Sequence, residues 1–185
     1  AEAADIAGWR ALFDRAWPAL EPVFAASPYL YGIARRWPER LKAILEADPD
    51  ARLDIILAYT DALTGGVEEA RKPLRLLKAE LHLLTALADL GGVWDLDEVT
   101  GALSRFADAV THRALCAVAH DQRDKGRLIS DPDDPGRPIP GLFLLAMGKH
   151  GADELNYSSD IDLSLFFDPD ILAPALAPGV EAQGF

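Results

Sequence analysis

"LLAMGKHGADELNYSSDIDLSLFF", residues 144–167, decides how the second half of the chain folds. An apolar run ends at Gly148-Lys149, and ten residues after Gly148 come Ser158, Ser159, Asp160 and Asp162 inside a second apolar run. The six apolar residues 142–147 fit a strand buried on both faces. The following stretch alternates. Ile161, Leu163, Leu165 and Phe167 point one way, toward a core, and Asp160, Asp162 and Ser164 point the other. Two carboxylates on one strand face repel unless a cation lies between them. Their oxygens suit hard Mg²⁺ or Mn²⁺, which keep several waters and bridge to substrate phosphates. No His or Cys lies close in sequence, so zinc is poorly supported.

Gly148 directly after a buried strand lets backbone N–H groups approach an anion, and Lys149 adds positive charge beside it. Ser158 and Ser159 supply hydroxyls next to the carboxylates. Together these residues form a phosphate cradle facing a metal site, which suits nucleotidyl or phosphoryl transfer. "MGKHGADEL" lacks the spacing of a P-loop. The ordered set carries the signal, because GK and DxD are each weak alone. The alternative is a solvated sheet edge.

The 185-residue chain is half hydrophobic and 26% charged, a globular profile with enough material for a core. Its formal net charge of −12 argues against a nucleic-acid partner, which needs clustered Lys and Arg. Small phosphates need only a local site. The single cysteine, Cys116, permits no internal disulfide and lies on an apolar helical pattern, as a small buried hydrophobe would. No run is long and apolar enough for a membrane span, and residues 1–17 lack a signal-peptide pattern. A soluble, cytoplasmic protein with no membrane partner is expected.

The first 125 residues read as helices. Residues 5–25 place Ile6, Trp9, Leu12, Phe13, Ala16 and Leu20 on one face, with Pro18 and Pro22 limiting or kinking the helix. Ser27-Pro28 restarts it, Pro38 opens another, and Asp50 is a candidate cap for a helix turning Leu53, Ile56, Leu57 and Leu63 inward. The clearest helix, residues 70–90, carries Leu74, Leu77, Leu81, Leu84 and Ala88 and stops at "DLGG". Asp95 or Asp97 caps the next, whose buried face is Leu103, Phe106, Val110, Ala114 and Val118. Residues 126–141 are dense in Pro, Gly and Asp, which marks a loop. Asp131, Asp133 and Asp134 there lack EF-hand spacing and read as a solvated turn. The expected organisation is a helical region (1–125), this loop (126–141) and the start of an α/β or α+β domain (142–185). Too little chain remains to finish a sheet, so a piece of a longer protein is expected.

"GKHGADELNYSSDIDLSLFF" resembles the "GKLGG.ELNYSSDIDLIFLY" signature of the bifunctional glutamine synthetase adenylyltransferase/adenylyl-removing enzyme family. The stretches "SPYLYGIARRWPERLKAIL" and "LRLLKAELHLLTALADLGGVWDLDEVTGALSRFADA" resemble helical segments of the same family, so the likeness covers about residues 25–168. The fold it implies is α+β, a helical region followed by the first strands of a polymerase-beta-like nucleotidyltransferase domain. The "NYSSDIDL" wording resembles the N-terminal of that family's two such domains, which removes AMP from glutamine synthetase by phosphorolysis and releases ADP.

On this resemblance, Asp160 and Asp162 bind the divalent metal and are catalytic, while Gly148, Lys149, Ser158 and Ser159 contact the nucleotide phosphates. The implied ligands are Mg²⁺ or Mn²⁺, ATP or ADP, and phosphate. The implied partners are glutamine synthetase and the PII signalling protein, with glutamine as a further control. This sequence departs from the pattern at His150, where the family has Leu, and at Ala152 and Asp153. His150 is expected in a surface loop. The superfamily's third carboxylate has no counterpart before Phe185, so the segment alone is expected to be inactive. Two other readings stand beside this one. The first is a non-catalytic module docking glutamine synthetase or PII, and the second is a toxin-type or antibiotic-modifying nucleotidyltransferase.

Overall fold

The computed structural model describes residues 2–6, 8–134 and 137–182, without the side chains of residues 3 and 6. The expected inward face of Ile6 and the Pro135-Gly136 part of the loop therefore lie outside the described residues. Seven helices come first: α1 (Glu2–Ile6), α2 (Arg10–Ala26), α3 (Pro28–Arg36), α4 (Pro38–Glu46), α5 (Pro49–Asp61), α6 (Val67–Leu90) and α7 (Leu96–Asp124). A small antiparallel sheet follows, β1 (Leu142–Ala146) and β2 (Leu163–Phe167), with α8 (Gly148–Gly151) between the strands. Helix α9 (Pro169–Leu172) and a 3-10 turn, Ala173–Ala175, come last. The class is α+β. Among the described residues no helix is long and apolar enough to cross a membrane.

Local chemistry sets the helix ends. The expected helix over 5–25 is broken at Gly8, whose φ of +75° suits a residue without a side chain. Pro18 and Pro22 lie within an unbroken α2. Both are exposed and four residues apart, so the carbonyls they leave without N–H partners open to water. Ser27 Oγ accepts from Leu30 N, and Pro28 fills the first helical position, as read. The cap of α5 is Asp48, not Asp50, because Asp48 Oδ1 accepts from the N–H groups of Asp50 and Ala51. Asp95 and Glu98 form a reciprocal capping box on α7.

Packing joins these helices into one core. Leu53 and Ile56 of α5, Leu81, Leu83 and Leu84 of α6, and Val99, Leu103 and Phe106 of α7 are all buried in it. The buried hydroxyls of Thr60 and Thr85 bond carbonyls four residues back, so they add no unmet polar group. The turn into α6 docks on α7. Arg113 donates to Gly65 O at 2.7 Å, and Asp121 Oδ1 accepts from Val67 N. A Cβ on Gly66 would displace that Asp121 carboxylate from its bond to Val67 N.

The α7 stripe reads correctly only in its first half. Ala114 and Val118 are exposed, and Arg113, Cys116, Ala117 and Ala119 are buried instead. Past Val110 the packing changes from the helical core to a second, small cluster. It contains Ala119, Leu128 and Ile139 with Leu172, Ala175 and Leu176. The 126–141 stretch is irregular as expected, yet it contributes Leu128 and Ile139 to this cluster and pairs Leu128 with Leu176. Asp133 within it lies 2.8 Å from His120 Nε2.

One ion cluster lies inside the helical core. The Glu80 side chain is only 2% exposed and receives both Arg40 of α4 and Arg52 of α5. It is the carboxylate that ties three helices together. Removing one partner of a buried cluster strands the others, at about 3–5 kcal/mol. Glu80→Ala is thus expected to cost about 3 kcal/mol in urea unfolding with an unchanged m-value. A loss below about 0.5 kcal/mol, the range of ordinary surface substitutions, would show that Arg40 and Arg52 find water instead.

Candidate functional site

The sheet register puts the two halves of the motif side by side. Leu142 pairs with Phe167 and Ala146 with Leu163, and the ladder gains one further hydrogen bond, Met147 N to Asp162 O at 2.9 Å. Residues 148–161 therefore leave and return at one point. Gly148 adopts φ +57°, a conformation costly for other residues, and its Cβ position would be 3.7 Å from Asp162 Oδ2. Gly148 and the Asp162 carboxylate share a corner, and exposed Lys149 is next in α8. Gly151 turns tightly under the strand, where any Cβ would strike Ala146 O.

Two expectations change here. Asp160 and Asp162 are not within the strand. They lie in the extended lead-in to β2, because β1 gives way to α8 and offers no partner beyond Met147. Both aspartates are exposed, and their side chains make no hydrogen bond or ion pair among the described residues. Nor is the sheet buried on both faces. Phe143, Leu145 and Phe166 are about half exposed, and the Phe143 and Phe166 rings stack at 5.4 Å.

The opposite face does carry Ile161, Leu163, Leu165 and Phe167 together, as the alternation predicts. They do not fill a core, however. They border a cleft of about 630 Å³ whose other wall is Val110, Ala114 and Val118 of α7.

The loop itself is pinned to the helices. Leu155 enters the helical core at 6% exposure, and its N–H donates to the buried Ser104 Oγ of α7 at 3.2 Å. Tyr157 OH donates to Asp89 Oδ2 of α6 at 3.2 Å. His150 is 5% exposed and places Nε2 2.8 Å from Asp108 Oδ1 of α7. It is a buried contact and not the surface residue expected, because α8 packs it against a carboxylate 42 positions away.

Asn156 organises the turn before the aspartates. Its Oδ1 accepts from Ser159 Oγ at 2.7 Å, from Ser158 N at 3.2 Å and from Ser158 Oγ at 3.4 Å. Asn156 N donates back to Ser159 Oγ at 3.3 Å. Both serines thus sit beside the aspartates in sequence, with their hydroxyls engaged by Asn156.

Electrostatics around the pins is one-sided. Burial, followed by the neighbouring Asp89, pushes the Tyr157 phenol up to about 12 against an opposing contribution from nearby Thr85, so it stays a proton donor. Burial and Lys78 lower His82 on α6, which favours its neutral ring. Burial raises the Cys116 thiol, in keeping with a packed and unreactive side chain.

Among the described residues no group of three or more His, Cys, Asp or Glu is placed to hold a metal ion. Asp160 and Asp162 offer a two-carboxylate donor set. That set fits a hard cation completing its shell with water and substrate oxygens, and it does not fit a closed structural site.

Asn156, Tyr157 and Leu155, with their helical partners, carried no expectation from the sequence, whereas His150 was expected at the surface and is buried. Leu155 was the available signal, a lone large apolar residue in an otherwise polar loop.

The profile of the glutamate-ammonia ligase adenylyltransferase family matches residues 17–184. A bifunctional glutamine synthetase adenylyltransferase/adenylyl-removing enzyme of Caulobacter vibrioides is 56% identical over 172 residues, covering 92% of this chain and 17% of that protein. Its counterpart in Bradyrhizobium diazoefficiens is 46% identical over 164 residues, covering 86% and 16%. One from Rhodopseudomonas palustris strain BisB5 is 41% identical over 189 residues, covering 98% and 19%. The chain thus spans less than a fifth of the length of these relatives. No solved structure matches it.

The Tyr157 environment is directly measurable. A folded value of about 12 lies above the ordinary 10.0, so the fold favours the protonated phenol. Its stabilising contribution is full below pH 10 and is lost as pH rises through about 12. Ultraviolet titration is expected to show that the latest tyrosine ionisation is removed by Tyr157→Phe, while the smaller upward shift that burial gives Tyr29 remains. The other tyrosines all titrating late, or the phase surviving the substitution, would contradict the assignment.

Proposed function

The chain belongs to the glutamate-ammonia ligase adenylyltransferase family, and on that premise we propose that it supplies the adenylyl-removing site of an enzyme acting on glutamine synthetase. The reaction is phosphorolysis. An oxygen of inorganic phosphate bonds to the phosphorus of the adenylyl group, the bond from that phosphorus to the tyrosine oxygen breaks, and the tyrosine oxygen takes up a proton. The products are ADP and unmodified glutamine synthetase. The observation that carries this reading is the corner where the Gly148 backbone meets the Asp162 carboxylate, with Asp160 two residues away.

Each residue has a part. Gly148, lacking a Cβ, lets a phosphate oxygen come close to the backbone, and Lys149 adds charge at the same edge. Asp160 and Asp162 would hold Mg²⁺, or Mn²⁺, which when bound would supply charge neutralisation at the phosphate oxygens. Ser158 and Ser159, fixed by Asn156, set the backbone that delivers the aspartates. The pins at Leu155, Tyr157 and His150 keep the corner in one position, which is the main contribution a protein makes to phosphoryl chemistry. ATP or ADP and phosphate are the small ligands. Glutamine synthetase is the protein substrate and the PII signalling protein a regulatory partner, in a cytoplasmic setting.

The test uses the full-length protein, adenylylated glutamine synthetase, phosphate and Mg²⁺, with ADP release as the readout. Asp160→Asn and Asp162→Asn are each expected to lower the rate by about a hundredfold or more, the scale for losing a group that stabilises transferring charge. Unchanged rates in both variants overturn the metal assignment. A wild-type protein that binds glutamine synthetase without releasing ADP points to a docking module instead.

A further inference from the structure

A cavity of about 500 Å³ opens where the site loop meets the helices, lined by residues of α3, α6 and the loop, including Tyr29, Leu30, His82, Asp89, Tyr157 and Ser158. Its size is that of a small-ligand site. The walls are largely apolar, and two tyrosines face it. Tyr29 is 56% exposed and holds its hydroxyl 2.9 Å from His82 Nδ1, with the rings 5.9 Å apart. Tyr157 donates to Asp89 Oδ2, and Asp89 Oδ1 makes no hydrogen bond among the described residues. Ser158 closes the cavity on the side where the chain continues through Ser159 to Asp160.

These features select a ligand class. A flat ring gains from the tyrosine faces. A ring bearing an amino group gains a hydrogen bond to the free Asp89 oxygen, whereas a second anion would meet that carboxylate and be repelled. Burial keeps His82 neutral, so the pocket also offers no cation for an acidic ligand. The cavity shares Ser158 with the turn that presents the aspartates, so a ring seated there lies beside the segment that leads two residues later to Asp160. We propose that this cavity receives the adenine ring of the adenylyl group, with Tyr29 and Tyr157 as its aromatic walls and Asp89 as the acceptor for its amino group. The assignment rests on the adenylyl-removing reading above and adds the base to it.

The probe is 8-azido-AMP, photolysed on the full-length protein with Mg²⁺ and followed by mass-spectrometric peptide mapping. Mapping distinguishes this cavity from any other nucleotide site in the protein. Label is expected on peptides containing Tyr29 or Tyr157, blocked by AMP and not by ribose 5-phosphate. Tyr29→Ala, at an exposed position, is expected to reduce that label about tenfold, as loss of one aromatic platform would. Leu90→Trp, at a residue 65% exposed on the cavity rim, is expected to reduce it similarly by filling the space. Label on other residues of 2–182 that is lost in Asp162→Asn overturns the cavity assignment and leaves the adenylyl reading standing. No AMP-blocked label anywhere in 2–182 overturns both.

Discussion

The burial of Leu155 in the helical core is the contact on which the arrangement of the site depends. A two-stranded sheet is at best marginal alone, and this one exposes much of both faces. Within the two strands, Leu142 packs toward α7 against the small cluster around Ala119, far from the Gly148 end of the sheet. Leu155 fixes that end by entering the core beside Ser104, and Tyr157 and His150 set the loop's rotation about that point. The corner formed by Gly148 and Asp162 is thus held from outside, by helices that contribute no group to it.

This accounts for the uneven packing of α7. Its N-terminal half is a core helix, with Val99, Leu103 and Phe106 buried. Its middle receives the loop through Ser104 and Asp108. Beyond Val110, Ala114 and Val118 face the apolar side of the sheet across the cleft, and Ala119 faces the small cluster built from the 126–141 stretch and the last turns. One helix therefore supports three neighbours in succession. A single hydrophobic stripe cannot describe it, because the direction of its buried side changes along its length.

The sequence made the helical half legible because its information is local. Proline and serine caps, the stripe in α6 and the "DLGG" stop each act within a few residues; the departures are the cap at Asp48, the break at Gly8 and the far end of the α7 stripe. The glycine–aspartate pairing was also legible, since alternation from Ile161 to Phe167 fixes which side chains share a face. The loop's supports were not. Ser104 lies 51 positions from Leu155, Asp89 68 from Tyr157, and Asp108 42 from His150. No local period encodes such contacts. The expectation of a doubly buried β1 failed for a related reason. Apolar residues report a tendency to be covered, and the cover itself must come from elsewhere.

The chemistry of the loop's pins also bears on how salt reaches the site. The loop carries Asp153, Glu154, Asp160 and Asp162, and the chain as a whole has a net charge of −12, so charge alone disfavours bringing loop and helices together. Two of the three pins bypass that repulsion. Leu155 is held by apolar burial and a neutral hydroxyl, and Tyr157 keeps its proton to about 12 and so donates as a neutral group. Ionic strength screens charges and leaves such contacts nearly untouched. Added electrolyte relaxes the repulsion between an acidic loop and an acidic body while the bonds joining them persist. The placement of the aspartates is thereby largely decoupled from the ionic strength around them, even though a cation or phosphate approaching those aspartates is not.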